Sequence, residues 1–514
     1  MSHPSPYLLE CHITEHSPHL LYLVFFLKEE KMGNKQTNCR PNYFSRFLPE
    51  EQAEIDGLFT AITGGLETIS SGKSKKPFPI PISLEMLQAY LGDALPEKMI
   101  VRLYEGMRNI DLTGTSQSPS EYVIKEQFVI LMSELLKGNA REKSHIIMKM
   151  LRVPIENVKA SHIKEFTEDL ITSVVHVLDY RNELKGWNMK KSQDFTSGVK
   201  ALATQLLSAL KQEMNPTQQK TYWDFDGDRN WTSPQECPPV EEEDSWSCDM
   251  SLIEDWVLKV PQISSFLNVV LRRGFLVLHS HAELASFIPE CKDAKELMSL
   301  LNIPAILYIN SFLPTKLQHT WKLIFSSQIH GYSFAKLCGN IIDKGPCLLV
   351  LKDRDGYIFG GFSSHSWAVK GQFQGDSRSF LFTISPSIAV YTYSGYNDHY
   401  MYLNHGQQTI PNGLGMGGQF DYFGLWIDHD FGKGHSKANP RCSTYNSPQL
   451  SARENFELDT IEVWAVGDFP SEKSPPKKNI LDNNTEVHCL LEMIGKSRQS
   501  EGLRDPCEEE ETKE

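Results

Sequence analysis

The stretch CLLVLKDRDGYIFGGF, residues 347–362, reads as two apolar runs around a turn. Cys347 to Leu351 and Tyr357 to Phe362 are the runs. Between them Asp353-Arg354-Asp355-Gly356 offers a glycine for the positive φ of a tight connection, which predicts a β-hairpin. The texture recurs on the C-terminal side. Phe380 to Ile384 and Ile388 to Tyr393 flank a turn at Ser385-Pro386-Ser387, and Phe423 to Ile427 and Ile461 to Val466 add strands. Short strands joined by turns, from about Asp249 to Val466, predict an antiparallel sandwich rather than a parallel sheet.

N-terminal to this region the period changes from two to 3.6. Ala53, Ile55, Leu58, Phe59 and Ile62 recur at helical spacing behind Pro49. Ser83 is placed to cap a helix carrying Leu84, Leu87 and Leu91 on one face. Met99 to Ile110 and Ile124 to Leu136 repeat the pattern around a loop from Asp111 to Ser120, and Ile155 to Leu178 (with a break near Ser161) and Ser197 to Leu210 follow. The expected class is therefore α+β, a helical region over 48–212 and a strand-rich region over 249–469. An acidic, proline-containing linker at 213–248 separates them, too polar to offset its own ordering entropy.

The helix–loop–helix spacing is EF-hand-like, but the ligand set is not. Counting from Asp111, positions 3, 5, 6 and 12 are Thr113, Thr115, Ser116 and Tyr122, where a calcium loop wants oxygen ligands, a glycine at 6 and a bidentate glutamate at 12. The reading is a scaffold that folds without calcium; a calcium sensor is an alternative. Asp224, Asp226 and Asp228 lack flanking helices of the right kind.

With 514 residues, 40% hydrophobic and 23% charged, the chain has globular proportions, and no apolar run reaches the ~18–20 residues of a membrane-spanning helix. The net charge of −14 argues against a dedicated nucleic-acid binder. Ten cysteines without a CxxC pair read as reduced thiols, and no cofactor or metal motif is present. Residues 1–31 read as an atypical extension ahead of a second start. Met32-Gly33-Asn34-Lys35-Gln36-Thr37 fits the N-myristoylation pattern, so 32–47 is expected to be a membrane anchor with Gly33 acylated. One myristoyl chain holds a membrane only marginally, and Cys39 is the candidate for a second acyl chain.

Several blocks together carry a family resemblance. They are LPTKLQHTW (313–321), HGYSF (330–334), DRDGYIFGGF (353–362), GDSRSFLF (375–382), GLWI (424–427) and Glu462-Val463-Trp464. They closely resemble the TLDc domain, which implies a two-sheet β-sandwich with peripheral helices. Paired with the Met-Gly start and the degenerate EF-hand-like region, they resemble the myristoylated, mTOR-associated branch of that family. The resemblance implies an adaptor at the cytoplasmic face of the lysosomal membrane and in the cytoplasm. Its expected partners are mTOR pathway components and the vacuolar proton-pumping ATPase, without nucleic acid. It also implies an alternative, an enzyme with hydrolase or oxidative-stress activity.

The residues favour binding over catalysis. No G-x-S-x-G, H-E-x-x-H or P-loop occurs. Gly413, Gly415 and Gly418 spell G-x-G-x-x-G, but Pro411-Asn412 precedes them and an aromatic run follows, so a flexible loop is expected rather than a dinucleotide site. His330, Ser333 and Glu462 are expected to form a structural network, because a carboxylate among apolar neighbours needs donors. Cys291, Cys338, Cys347 and Cys442 read as core. In the segment 470–514, after prolines 470, 475 and 476, Val487, Leu490, Leu491 and Ile494 form one apolar stripe, expected to be a partner-docking helix ahead of an acidic tail.

Overall fold

The computed structural model describes residues 45–64, 80–112, 121–154, 158–187, 195–214, 247–278, 287–294, 297–406, 410–438 and 440–468. The acylation candidates Gly33 and Cys39, most of the Asp111 loop and linker, and the stripe from Val487 to Ile494 lie outside them.

Among the described residues seven α-helices make up the first half: α1 (Pro49–Ile62), α2 (Leu84–Leu91), α3 (Glu97–Arg108), α4 (Lys125–Lys137), α5 (Ala140–Met150), α6 (Ala160–Tyr180) and α7 (Phe195–Met214). Their buried residues repeat at i, i+3 and i+4, as in α6, where Ile163, Phe166, Leu170, Val174 and Val177 turn inward. Ser83 caps α2 by accepting from the Met86 amide at 3.3 Å. The connections before α2 and α4 are joined by a two-way bridge between Ile82 and Val123, with N–H···O distances of 2.8 and 3.0 Å. The bridge ties the two helix–loop–helix units together by backbone bonds.

The structure refines one sequence reading here and corrects two. Helix α5 was not expected, although Asn139 and Glu142 form a reciprocal capping box that marks its start. The change near Ser161 is a helix beginning at Ala160. The region expected to turn to strands at Asp249 opens instead with α8 (Met250–Lys259) and α9 (Pro261–Phe275), which pack on α5, α6 and α4.

The strands are β1 (Glu290–Lys292), β2 (Thr320–Ser326), β3 (Cys347–Asp353), β4 (Ile358–Ser363), β5 (Lys370–Gln374), β6 (Phe380–Ser385), β7 (Ala389–Tyr391), β8 (Met401–Asn404), β9 (Gly413–Gln419), β10 (Tyr422–Asp428), β11 (Lys433–His435) and β12 (Asn455–Val466). Helices α10 (Ile303–Phe312), α11 (Ser327–His330) and α12 (Phe334–Ile341) accompany them. The ladder runs β5-β8-β9-β10-β11-β12-β3-β4-β6-β7 and does not close. Pairing is antiparallel except between β1 and β2.

The twelve-residue β12 joins the halves. Its start pairs with β11 and its remainder lies between β3 and β2. The two halves share one core, with Leu349, Leu351, Phe359 and Leu381 from one side and Leu403, Met416, Leu425 and Ile427 from the other. The quoted hairpin forms as read. Gly356 has φ 87°, and the Asp353 carboxylate receives the Tyr357 amide at 2.8 Å.

The glycine run read as a flexible loop is instead strand β9, buried from Gly413 to Gly418. A Cβ on Gly413 would lie 2.4 Å from the Trp426 ring, and one on Gly415 2.6 Å from Phe423. Those rings press on the strand, so its glycines answer to packing and not to flexibility.

Candidate functional site

The residues expected to form one network have separate partners. Glu462, on β12 and without solvent exposure, accepts from the Leu300 amide at 2.8 Å, the Ser299 hydroxyl at 2.9 Å and the Trp464 indole at 3.1 Å. Burial pushes its carboxyl up to about 7 against the pull of those donors. His330 instead bonds the Ser326 backbone, its Nδ1 accepting from the Ser326 amide at 3.0 Å, and stacks on Phe325. Ser333 accepts from the Lys336 amide at 3.4 Å as the cap of α12. The three are pinned by local backbone or by the 299–300 segment, so they make no base–nucleophile–carboxylate relay.

Sequence reasoning missed Trp187, on the connection between α6 and α7. Its ring meets Trp464 at 5.0 Å and Trp321 at 6.0 Å, and its indole donates to Pro289 O at 2.9 Å. Beside it the Lys185 carbonyl accepts from the Cys291 amide, and Gly186 has φ 94°. The available signal was a Gly-Trp pair between two amphipathic helices. Trp187 and Glu462 therefore meet at Trp464, joining the helical region to β12 and the 297–301 segment. Burial, and then the Glu462 charge, pushes the Cys291 thiol up to about 12. Cys338, Cys347 and Cys442 are buried, and burial raises each thiol.

The arrangement nearest to a hydrolytic triad is Ser364, His365 and Asp376. The Ser364 hydroxyl lies 3.1 Å from His365 Nδ1, and Asp376 Oδ2 lies 3.8 Å from the same nitrogen. A relay needs the hydroxyl and the carboxylate on opposite ring nitrogens. Here the group locks the GDSRS turn. Ser379 donates to the Ser364 hydroxyl at 2.9 Å, and the Asp376 amide reaches that oxygen at 3.3 Å. Burial would raise the Asp376 carboxyl, but hydrogen bonds from Arg378 and Ser364 outweigh it and hold it at about 2.

A cavity of about 580 Å³ opens where the β3–β4 hairpin meets β10, β11 and β12. Two exposed ion pairs cross its rim, Arg354 to Glu457 and Arg453 to Asp355, and Trp426 and His435 line it. Burial, reinforced by Lys437, lowers His435 to about 4, leaving it neutral at pH 7. The described lining holds no hydroxyl or thiol, and its three cationic side chains, Arg354, Lys433 and Arg453, balance the carboxylates of Asp355, Asp428 and Glu457. Among the described residues no group of three or more His, Cys, Asp or Glu is placed to hold a metal, and no helix is long and apolar enough to cross a membrane.

The TLDc domain model matches residues 295–467, which include the hairpin, the GDSRS turn, Trp321 and Glu462. Proteins named MTOR-associated protein MEAK7 match along nearly their whole length. The Gallus gallus protein is 58% identical over 93% of this chain and 99% of its own. The Homo sapiens protein is 52% identical over 93% and 100%, and the Xenopus laevis protein 46% over 94% and 100%. A TLDc match over the sheet and this level of identity over helices and sheet alike place the chain in the TLDc-domain family, on the branch of the proteins named MTOR-associated protein MEAK7.

Proposed function

We propose that this chain is an adaptor in mTOR signalling, recruited to the cytoplasmic face of the lysosome through acylated Gly33 and contacting the vacuolar proton-pumping ATPase. The observation that carries the mTOR role is the near full-length similarity to proteins named as mTOR-associated. The geometry supports an interaction role, because His330, Ser333, Glu462 and Asp376 are each occupied in holding the fold. Membrane recruitment rests on the Met32 to Thr37 pattern, with Cys39 as the second acyl site that one myristoyl chain requires. Partner contact beyond the sheet is assigned to the stripe Val487, Leu490, Leu491 and Ile494.

The test is affinity capture from cells expressing the chain from Met32. Wild type is expected to co-purify mTOR and the proton pump from lysosomal membranes. Gly33→Ala should move the protein to the cytosolic fraction, and Leu490→Asp with Leu491→Asp should reduce capture of the pump. Absence of mTOR from the wild-type capture overturns the signalling role, and unchanged fractionation of Gly33→Ala overturns the anchor.

A further inference from the structure

We infer that the groove beside the β9–β10 turn binds an arginine side chain of a protein partner. The groove, about 630 Å³ and open to solvent, is lined by Phe373, Asp398, His399, Gln372, Gln419 and Phe420. Its rings are arranged in a stack. Phe373 lies 4.1 Å from His399 at an interplanar angle of 12° and 5.4 Å from Phe420 at 24°. Phe420 is 40% exposed, so the stack has a face open to water.

Such a face attracts a planar cation through the ring quadrupole, and guanidinium stacks on it better than ammonium does. The described lining carries one carboxylate, Asp398, and no lysine or arginine, so the charge complement is a cation. Tyr400 donates to Asp398 Oδ1 at 3.0 Å, fixing the carboxylate, and the amides of Gln372 and Gln419 add acceptors for the remaining guanidinium hydrogens. Elsewhere on the same β9–β10 hairpin a ring already accepts a cation from within the chain, since Lys437 Nζ lies 5.4 Å from the Tyr422 ring centre. Asp421, beside Phe420, adds negative charge that opposes contact with an anionic membrane.

This assignment is separate from lysosomal recruitment and is tested on the purified full chain. The probes are a tethered peptide of alternating glycine and arginine and its lysine and citrulline counterparts. The arginine peptide is expected to bind several-fold more tightly than the lysine peptide, and the citrulline peptide not detectably. Asp398→Asn, which keeps the Tyr400 bond, and Phe420→Ala are each expected to weaken arginine binding about fivefold, the size of one exposed cation–π or ion-pair contact. Equal binding of the citrulline and arginine peptides overturns the proposal. So does arginine binding unchanged in Asp398→Asn, a variant whose fold rests on no lost contact. Binding to phosphatidylserine vesicles that Phe420→Ala abolishes, with peptide binding unaltered, would reassign the groove to lipid.

Discussion

Buried hydroxyls behave differently in the two halves of this molecule. In the helical region three of them bond four residues back, Thr63 to Phe59 O, Thr167 to Ile163 O and Ser173 to Asp169 O, while Ser133 receives the distant Arg46 amide and Ser144 reaches Met250 Sδ. In the sheet region they bond across the chain. Ser363 reaches Cys347 O, Ser436 reaches Gly424 O and receives the Leu450 amide, and Ser451 donates to buried Asp353, 98 residues away. The helices are specified mainly by where apolar residues recur, with long-range polar pairs such as Arg102 to Asp169 and Lys137 to Glu51 added between them. The sheet depends on particular polar residues at particular places.

The comparison breaks most severely where the halves meet. Trp187→Ala removes the ring between Trp321 and Trp464 and the bond to Pro289, and is expected to cost about 3–5 kcal/mol. Chemical denaturation should then show the helical and sheet regions melting separately. A single transition at the wild-type midpoint would mean the tryptophan does not join them.

Glu462→Gln comes next. Two carboxylate oxygens meet three donors, and an amide has one acceptor oxygen, so at least one buried donor is stranded, at about 1–3 kcal/mol. The carboxyl is raised from 4.5 to about 7 in the fold, so the folded state holds the proton more tightly than the unfolded chain. Its contribution is full below about pH 4.5 and is lost as pH rises through about 7. The wild-type advantage over Glu462→Gln should therefore be larger at pH 5 than at pH 8 in urea titrations, and the reverse order would contradict the burial argument.

A matched pair sharpens the contrast at smaller scale. Ser436→Ala strands the Leu450 amide and is expected to cost about 1–3 kcal/mol. Thr167→Val, which removes a hydroxyl bonded only within its helix, should cost about 0.5 kcal/mol or less. Equal losses would remove the distinction between local and long-range polar bonding. The smallest effect is expected from calcium. Melting of the full chain at millimolar calcium, with and without Asp111→Ala, should be unchanged, because Thr113, Thr115 and Tyr122 leave positions 3, 5 and 12 of the loop without a carboxylate. A calcium-dependent rise in melting temperature that the substitution removes would restore the sensor reading.

What could be read from sequence was whatever repeats locally. The hairpin at 347–362, the Ser83 cap and the apolar stripes of α1, α3, α4 and α6 depend on periods of two and 3.6 and on one turn glycine. Neighbours a few residues away settle them. Strand β9 was beyond that reach: Gly413 and Gly415 form a strand because Trp426 and Phe423, from the next strand, occupy the space a side chain would need. The partners of Glu462 were likewise chosen by the fold. Its need for donors was legible, but the donors proved to be Ser299 and Leu300, more than 160 residues away in sequence, and not His330. Trp187 became a junction only when β2 and β12 brought Trp321 and Trp464 beside it. Local periodicity chose the elements. Which buried polar or aromatic group met which was a matter of long-range packing, where no space and no donor can be left unmatched.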